Sequence, residues 1–244
     1  MTNREAHELA RRRGVSPLLY RIVRSLALVV MRVWFRLELQ GADNIPRQGA
    51  AIVCPNHKSF WDAFFIGAAT TRPLRYMAKT ELIEGLFGGL LVRLGAFPVR
   101  RGQADHEALA TARTLLKQGE LLVVFPEGTR VRDPERLGEP HRGAGRLALE
   151  TGAPIVPAAI TGTHRLFWGP LPQPRKVRVA FGKPILPPPV PPTPDAAREL
   201  VERAVWPEVA AEYRRLRARK GLLAALVALL ASAAAAATVR RRRR

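Results

Sequence analysis

The feature that most constrains the fold is an alternation of short apolar runs with helical stretches between Ala50 and Pro184. Such runs are typical of buried strands, and helices between successive strands favour parallel pairing. The predicted strands are Ala50–Cys54, Leu74–Met77, Ala96–Val99, Leu121–Phe125, Ile155–Ile160 and Val177–Phe181. The predicted helices are Asp62–Thr70, Glu81–Leu94, Asp105–Gln118 and Gly145–Thr151. The sequence therefore predicts an α/β fold with a mostly parallel central sheet flanked by helices.

The segment from Leu18 to Leu39, which precedes this region, is apolar and carries a helical period. At about 100° per residue, its arginines fall within an arc of roughly 120°, and apolar residues occupy the rest of the helix. These arginines are Arg21, Arg24, Arg32 and Arg36. Charges at this spacing disfavour a transmembrane span or a signal peptide, and they predict an amphipathic helix on an anionic membrane surface. A helix packed on the protein's own core is the alternative.

Three segments follow the predicted sheet. A proline-rich connector, Pro184–Pro194, is expected to be a stiff spacer, and a basic helix is predicted over Asp195–Lys220. The Ala-rich apolar run Gly221–Val239 comes next, followed by Arg240–Arg244. This run could just span a hydrocarbon core of about 30 Å, and a surface-lying or oligomerising helix and a disordered tail are the alternatives.

The formal charge of +20 requires a partner or surface that tolerates a positive field. Nucleic acid, anionic lipid and an acidic carrier all meet this condition, so charge does not choose among them. The single cysteine, Cys54, excludes an intramolecular disulfide framework and favours a reducing compartment that faces the cytoplasm.

A histidine and a carboxylate stand five residues apart, at His57 and Asp62, where the first predicted strand ends. In a continuous helix they would lie about 7.5 Å apart along the axis and point in different directions. The spacing therefore indicates that His57 lies in a solvent-facing turn and Asp62 in the first turn of a helix. The carboxylate can then bind one ring nitrogen and leave the other free as a base. A surface histidine near a helix cap is the simpler alternative.

A second constellation, Phe125–Arg130, follows another apolar strand. Ligands of open parallel sheets lie beyond the carboxyl ends of the strands, where loop amides are free. Thr129 and Arg130 suit a phosphate group there, and Gly128 lets the backbone approach closely. Lys79 and the run Gly95–Arg101 add positive charge at neighbouring strand ends.

Other site chemistries find little support in the sequence. A Gly-x-Ser-x-Gly nucleophile motif is absent, and Cys54 at the end of an apolar strand is typical of a core residue. The histidines are scattered without the spacing of metal ligands, at His7, His57, His106, His141 and His164. No metal site is therefore expected.

Four blocks in this order resemble the glycerolipid acyltransferase family of the 1-acylglycerol-3-phosphate acyltransferase type. They are Asn56–Asp62, Gly95–Arg101, Phe125–Arg130 and Val156-Pro157, and the resemblance covers about Ala50 to Ile160. It implies that His57 and Asp62 are catalytic. It also implies that the acceptor's glycerol phosphate is held by Arg101, Glu127, Gly128 and Arg130, together with Lys79.

The resemblance implies a reaction as well as a site. An acyl group would move from acyl-CoA or acyl carrier protein to a lysophospholipid, most simply 1-acylglycerol-3-phosphate, giving phosphatidic acid. No cofactor is needed beyond this acyl donor. A non-enzymatic nucleic-acid binder and a hydrolase using the same His-Asp pair are the alternatives, although the chain lacks a recognisable nucleic-acid motif.

The expected organisation follows from these segments. Residues 1–40 form a basic amphipathic segment at the membrane interface, and residues 41–184 form the acyltransferase domain. Residues 185–220 contain the connector and the basic helix, and residues 221–244 form the apolar segment with its polyarginine end. We expect the protein at the cytoplasmic face of the cell membrane, with an anionic lipid surface rather than nucleic acid as its partner.

Overall fold

The computed structural model describes residues 1–70, 72–100, 102, 105–168 and 171–218 of the chain. The strands in these ranges are β1 (Glu38–Gln40), β2 (Ala51–Pro55), β3 (Leu74–Lys79), β4 (Ala96–Val99), β5 (Leu121–Val123), β6 (Ile155–Thr161), β7 (Phe167–Trp168), β8 (Leu171–Pro172) and β9 (Arg178–Phe181). The helices are α1 (Asn3–Arg13), α2 (Pro17–Val33), α3 (Asp62–Ala69), α4 (Thr80–Glu84), α5 (Gly88–Arg93), α6 (His106–Lys117), α7 (Gly143–Thr151) and α8 (Pro194–Glu199). A short 3₁₀ turn spans Ala42–Asn44.

The central sheet has the strand order β1-β9-β6-β2-β5-β3-β4. Its described pairs are parallel except β6 with β9, which is antiparallel. The central strands β2 and β6 are buried along their whole length, as expected for strands covered on both faces. The predicted α/β class and mostly parallel sheet are confirmed. Strands β7 and β8 form a separate antiparallel pair.

Two layers of helices cover the sheet. Helices α2 and α3 pack on one face, where Met31, Phe65 and Ile66 join a buried cluster with side chains of β2, β5 and β6. Helices α1, α6 and α7 pack on the other face, together with the C-terminal helical residues. The carboxyl ends of β2, β5, β3 and β4 therefore meet at one edge between these layers.

The helix predicted over Leu18–Leu39 is shorter than expected, and the N-terminal region contains more structure than a membrane segment alone. Helix α2 ends at Val33, and Arg36 has a positive φ of 43°, which turns the chain away from the helical path. Residues Glu38–Gln40 then pair with β9, and the Glu38 carboxylate accepts a hydrogen bond from Arg178 Nε at 2.8 Å. The helical period thus predicted α2 correctly but hid the edge strand β1.

Helix α1 was not predicted. Its first turn is closed by a capping box, in which the Thr2 side chain and the Glu5 carboxylate each accept a backbone N–H of the other residue. Ala6 and Ala10 are fully buried against the layer that contains α6. Helix α1 is therefore part of the folded domain.

The helix predicted over Glu81–Leu94 is divided into α4 and α5. A Cβ atom on Gly88 would lie 1.6 Å from the carbonyl oxygen of Ile83, so the chain can approach itself this closely only at a glycine. The break leaves Leu86 and Phe87 exposed at the turn.

The C-terminal helix runs from α8 through a π-helical stretch, Leu200–Val205, and continues as residues 206–218. The helix predicted over Asp195–Lys220 is thus confirmed as far as residue 218. The predicted apolar segment Gly221–Val239 and Arg240–Arg244 lie outside the described residues. Within the described ranges, no single helix is long and apolar enough to cross a membrane, whereas the bent pair Asn3–Arg12 and Pro17–Val33, at 99°, meets this test jointly by length and composition.

Candidate active site

A turn joins the end of β2 to the start of α3, and it brings His57 against Asp62. The Nδ1 atom of His57 lies 3.0 Å from Oδ2 of Asp62. Because an ionised carboxylate only accepts hydrogen bonds, Nδ1 is the donor to Asp62, and in a neutral imidazole Nε2 is then the acceptor. The predicted arrangement, with His57 in the turn and Asp62 in the first turn of a helix, is therefore present.

The Asp62 carboxylate also holds the turn itself. Its Oδ2 atom accepts the backbone N–H of Lys58 at 2.6 Å and that of Ser59 at 2.7 Å. Asp62 is fully buried at the N-terminus of α3, where the helix dipole favours a negative charge. One oxygen atom thus orients the imidazole and fixes the backbone on which the imidazole is carried.

His57 is less open to solvent than the sequence indicated. Only 5% of its surface is exposed, and its ring stacks on Phe125 with ring centroids 4.0 Å apart. The expectation from the sequence that the His57 imidazole faces solvent is therefore wrong, because the ring is buried. Stacking on one face and the carboxylate at one edge restrict the ring to a narrow range of orientations.

Asn56 clamps the start of the turn to β6. Its side-chain oxygen accepts the N–H of Ile160 at 2.8 Å, and its Nδ2 donates to the carbonyl of the same residue at 3.1 Å. A polar side chain directly after an apolar strand was the available signal for this role. Burying an amide needs such partners, because an unsatisfied polar group costs about 1–3 kcal/mol.

Glu127 contacts the turn that carries His57, residues 56–61. Its Oε1 atom accepts the backbone N–H of His57 at 3.3 Å, and its side chain is buried. Burial raises the pKa of Glu127 to about 7, although the His57 N–H and the Lys58 charge act in the opposite direction. The sequence did not reveal this contact with His57, and the acceptor role expected for Glu127 remains a prediction.

The residues after Glu127 form an exposed turn beside His57. Gly128 has a φ of 63°, and a Cβ atom there would lie 3.0 Å from the ring of His141, so both conformation and space favour glycine. The N–H of Val131 donates to the carbonyl of His57 at 2.9 Å. This bond brings exposed Thr129 and Arg130, expected to bind phosphate, close to the turn that carries His57.

Two further cations were expected at this edge of the sheet. Lys79 is exposed at the carboxyl end of β3, in register with Val99 at the end of β4. Because β3 also pairs with β5, Lys79 belongs to the same sheet edge as the turn after β5. Arg101, two residues beyond Val99, lies outside the described residues, and its role remains a prediction.

An apolar cavity of about 700 Å³ lies between α2 and α3. Trp61 and Ala63, on either side of Asp62 in sequence, line it, and it continues along α3 to Ala68. At its rim the ring of Trp61 stacks on Phe167 of β7, with centroids 5.3 Å apart. The sequence did not predict this cavity, because its walls come from distant segments that meet only after folding.

A thiol nucleophile and a metal centre find little support among the described residues. Cys54 is buried in β2, and burial raises the pKa of its thiol well above the usual range, so it is not suited to act as a thiolate nucleophile. Among the described residues, no group of three or more His, Cys, Asp or Glu side chains is arranged to hold a metal ion. The His57–Asp62 pair is therefore the best-formed candidate for acid–base chemistry.

The chain is similar to known acyltransferases in sequence and in fold. A 1-acyl-sn-glycerol-3-phosphate acyltransferase of Bacillus subtilis is 30% identical over 146 residues, which cover 59% of this chain and 72% of that protein. An uncharacterized protein of Mycobacterium tuberculosis is 34% identical over 209 residues and 67% of this chain. The chain spans only 56% of the length of that mycobacterial relative.

The fold comparison agrees with the sequence comparison. The crystal structure of the 1-acyl-sn-glycerophosphate acyltransferase PlsC from Thermotoga maritima matches with a TM-score of 0.64 and 26% identity. The match covers 84% of this chain and 81% of that one. The acyltransferase family model itself matches residues 36–161, just over half of the 244 residues. The chain therefore belongs to the acyltransferase family.

Proposed function

We propose that the protein transfers a fatty acyl group from a thioester donor to the free hydroxyl of 1-acylglycerol-3-phosphate, giving phosphatidic acid. The observation that carries this proposal is the His57–Asp62 hydrogen bond beside an apolar cavity. The similarity to 1-acyl-sn-glycerol-3-phosphate acyltransferases supports the choice of acceptor. The donor is acyl-CoA or acyl carrier protein, since both present the same thioester.

The difficult step in this reaction is to make a lipid hydroxyl nucleophilic at neutral pH. The Nε2 atom of His57 would accept the hydroxyl proton as the oxygen attacks the thioester carbonyl, while Asp62 stabilises the imidazolium that forms. The tetrahedral intermediate then collapses with cleavage of the carbon–sulfur bond. The thiolate leaves and takes the proton back from His57, so that the base is regenerated.

The apolar cavity provides a place for an acyl chain. Its lining is formed largely by aliphatic and aromatic side chains of α2 and α3, including Ala27, Met31 and Phe64. An acyl chain buried there is stabilised by about 25 cal/mol for each Å² of apolar surface removed from water. Because Trp61 and Ala63 flank Asp62, a chain in the cavity would have one end near the base.

The exposed cations at the carboxyl edge of the sheet would bind the acceptor phosphate. Arg130 can donate two hydrogen bonds to phosphate oxygens, and Thr129 and the Gly128 backbone lie next to it. Lys79 would add charge from the end of β3, and Arg101, which follows β4 in the sequence, is proposed to bind the same phosphate. This assignment keeps the phosphate near the turn that bonds to His57 through Val131.

An anionic membrane is the proposed source of the acceptor. One face of α2 packs on the domain through Tyr20 and Met31, whereas Leu26 and Val33 on its other side are 65% and 74% exposed. The exposed apolar arc continues through Leu18, Ile22, Val29 and Val30. Exposed Arg21 and Arg32 lie beside this arc, as in helices that bind the interface of anionic bilayers.

Two of the arginines expected to face lipid have protein partners instead. Arg24 donates to the carbonyl of Thr70 at 2.6 Å, and Arg36 donates to that of Pro174 at 3.1 Å. We assign the main electrostatic contribution of α2 to Arg21 and Arg32, because both side chains are exposed on this helix. We propose that the protein acts at the cytoplasmic face of the membrane, where acyl-CoA and acyl carrier protein would be available as donors.

The experiment that tests the proposal is mass spectrometry of the lipids formed from a panel of lysophospholipids. The purified full chain would be assayed in mixed micelles with acyl-CoA and with acyl carrier protein, across several acyl-chain lengths. We expect phosphatidic acid from 1-acylglycerol-3-phosphate with at least one donor. A preference for another head group would change the acceptor, and free fatty acid without a new ester would indicate a hydrolase.

A further inference from the structure

Lys58, the residue after His57, has its charged group buried against the C-terminal helix. Only 2% of Lys58 is exposed. Its backbone N–H donates to Asp62 as part of the turn that carries His57, but its side chain points elsewhere. The ammonium donates to the carbonyl of Asp133 at 2.9 Å and to that of Arg136, and it lies 5.1 Å from the ring centroid of Tyr213.

The C-terminal helix holds the same loop from the other side. The Tyr213 hydroxyl donates to the carbonyl of Pro134 at 2.8 Å. Arg217, one turn later, pairs with the Glu135 carboxylate and has its guanidinium 5.9 Å from the Tyr213 ring centroid. Loop 133–136 is therefore fixed between Lys58 and residues that lie beyond the match to the family model.

Loop 131–141, which contains these residues, is bonded to His57 at one end and to Pro126, next to Glu127, at the other. The N–H of Val131 donates to the His57 carbonyl, and the N–H of His141 donates to the carbonyl of Pro126 at 2.8 Å. Between them, Gly138 packs against Glu127, whose carboxylate accepts the His57 N–H. Both backbone hydrogen-bonding groups of His57 are thus held by segments that the C-terminal helix helps to position.

We propose that Lys58 and Tyr213 form a positioning pair that fixes the orientation of His57 and makes the rate of acyl transfer depend on the docked C-terminal helix. This inference rests on the proposed function, since it assigns a rate effect to His57. A buried ammonium is costly unless it is satisfied, and here two carbonyls and an aromatic face satisfy it. Loss of the ring would leave the ammonium to find other partners, which would move the turn that carries His57.

The test compares steady-state kinetics of full-length variants at a temperature at which each is fully folded. Lys58→Met and Tyr213→Leu should lower kcat about 10- to 100-fold, the range expected when a catalytic group shifts by about 1 Å. The KM values for both substrates should change less than about threefold, because neither residue is proposed to touch a substrate. Tyr213→Phe keeps the ring under the ammonium and should recover most of the lost rate.

Two further variants separate positioning from loss of stability. Val201→Ala is the matched control, because Val201 packs on Gly145 of α7 in the same helical segment, away from loop 133–136. It should lower Tm while keeping kcat within about twofold, since its effect is confined to core packing. The double variant Lys58→Met/Tyr213→Leu should be no slower than the slower single variant, because both changes remove the same contact between the Lys58 ammonium and the Tyr213 ring.

Wild type and His57→Ala together distinguish failure of this inference from failure of the proposed function. If His57→Ala is inactive while Lys58→Met and Tyr213→Leu keep wild-type kcat, the positioning pair is wrong and the base assignment stands. If the loss of kcat relative to the loss of Tm is the same in Val201→Ala as in Lys58→Met and Tyr213→Leu, the rate effect is due to general destabilisation and the inference is also wrong. If His57→Ala retains activity, the base assignment fails and this inference fails with it, whereas the absence of any new ester with wild type would overturn the proposed function itself.

Discussion

Oδ2 of Asp62 lies 3.0 Å from Nδ1 of His57 and accepts two backbone N–H groups of the same turn. The carboxylate therefore carries out two tasks, since it orients the imidazole and shapes the loop that presents it. An amide in its place could still accept the backbone bonds, but it could not stabilise an imidazolium by charge. The two tasks can thus be separated by a single substitution.

Asp62→Asn should lower kcat by about 10²- to 10⁴-fold while the fold is retained, because the charge beside the imidazolium is lost. Circular dichroism and thermal unfolding would check the fold, and steady-state assays would measure kcat. Asp195→Asn is the control, since that carboxylate is exposed far along the chain in α8. A rate within threefold of wild type for Asp62→Asn would exclude the orienting role.

The raised pKa of Glu127 predicts that the stability of the fold depends on pH. Its pKa is raised from 4.5 to about 7, so the folded state holds a proton that the unfolded state releases. The resulting stabilisation is fully present below the usual pKa and is lost as pH rises through about 7. The free energy of unfolding should fall by up to about 3 kcal/mol across this interval. Denaturant titrations at a series of pH values would measure it, and Glu127→Gln should reduce the slope.

The same variant tests which task Glu127 performs. A glutamine can still accept the His57 N–H, so we expect kcat to remain within about tenfold of wild type and the acceptor KM to change little. A large rise in the acceptor KM would instead restore the role in acceptor binding that the sequence implied. Identical pH profiles for wild type and Glu127→Gln would contradict the raised pKa.

Arg130→Ala, and likewise Arg101→Ala, should raise the KM for the phosphorylated acceptor by about 10- to 100-fold, as expected for a lost charge-assisted hydrogen bond. The KM for the donor should change much less. Arg203→Ala is a suitable control, because Arg203 pairs with Glu199 on the exposed side of the C-terminal helix. If the donor KM alone rises, these arginines bind the phosphates of the donor.

Membrane binding should depend on the outer face of α2. Replacing Leu26, Val29 and Val33 with Gln should abolish sedimentation with vesicles, because the apolar surface that inserts is lost. Arg21→Gln/Arg32→Gln should weaken binding to anionic vesicles about 30-fold, at about 1 kcal/mol per basic residue, and should leave neutral vesicles unaffected. Leu186→Gln/Val190→Gln would serve as a control for exposed apolar residues elsewhere.

Substitution is preferable to truncation in this experiment. A chain without residues 1–39 would lose α1, whose Ala6 and Ala10 are buried, and most of strand β1. Equal binding of wild type to anionic and neutral vesicles would contradict the electrostatic part of the proposal. Full binding by the triple Gln variant would contradict the use of α2 altogether.

The sequence predicted the parts of the molecule that depend on local pattern. Continuous apolar runs identified β2 and β6, and the spacing of His57 and Asp62 required a turn between them. Strand β1 was missed because the helical period of the sequence continues past Val33, where the helix itself ends. The positive φ of Arg36, which turns the chain toward β1, cannot be read from that period. Local signals thus identified the centre of the sheet better than its edge.

The rest of the candidate site depends on contacts between distant segments. The contact of Glu127 with the His57 N–H, and that of Tyr213 with Lys58, join residues 70 and more than 150 positions apart. The apolar cavity likewise combines α2, α3 and β7. A periodicity or a short motif can mark one member of such a pair, as the Phe125–Arg130 block marked Glu127, but it does not show which distant residue that member will contact.

His57 is proposed here as the base for acyl transfer to a lysophospholipid hydroxyl. The most direct measurement is the initial rate of phosphatidic acid formation from 1-acylglycerol-3-phosphate by wild type and His57→Ala, followed by mass spectrometry. We expect phosphatidic acid from wild type and a rate at least about 10²-fold lower for a folded His57→Ala variant. Phosphatidic acid formation by His57→Ala within about tenfold of the wild-type rate would contradict it.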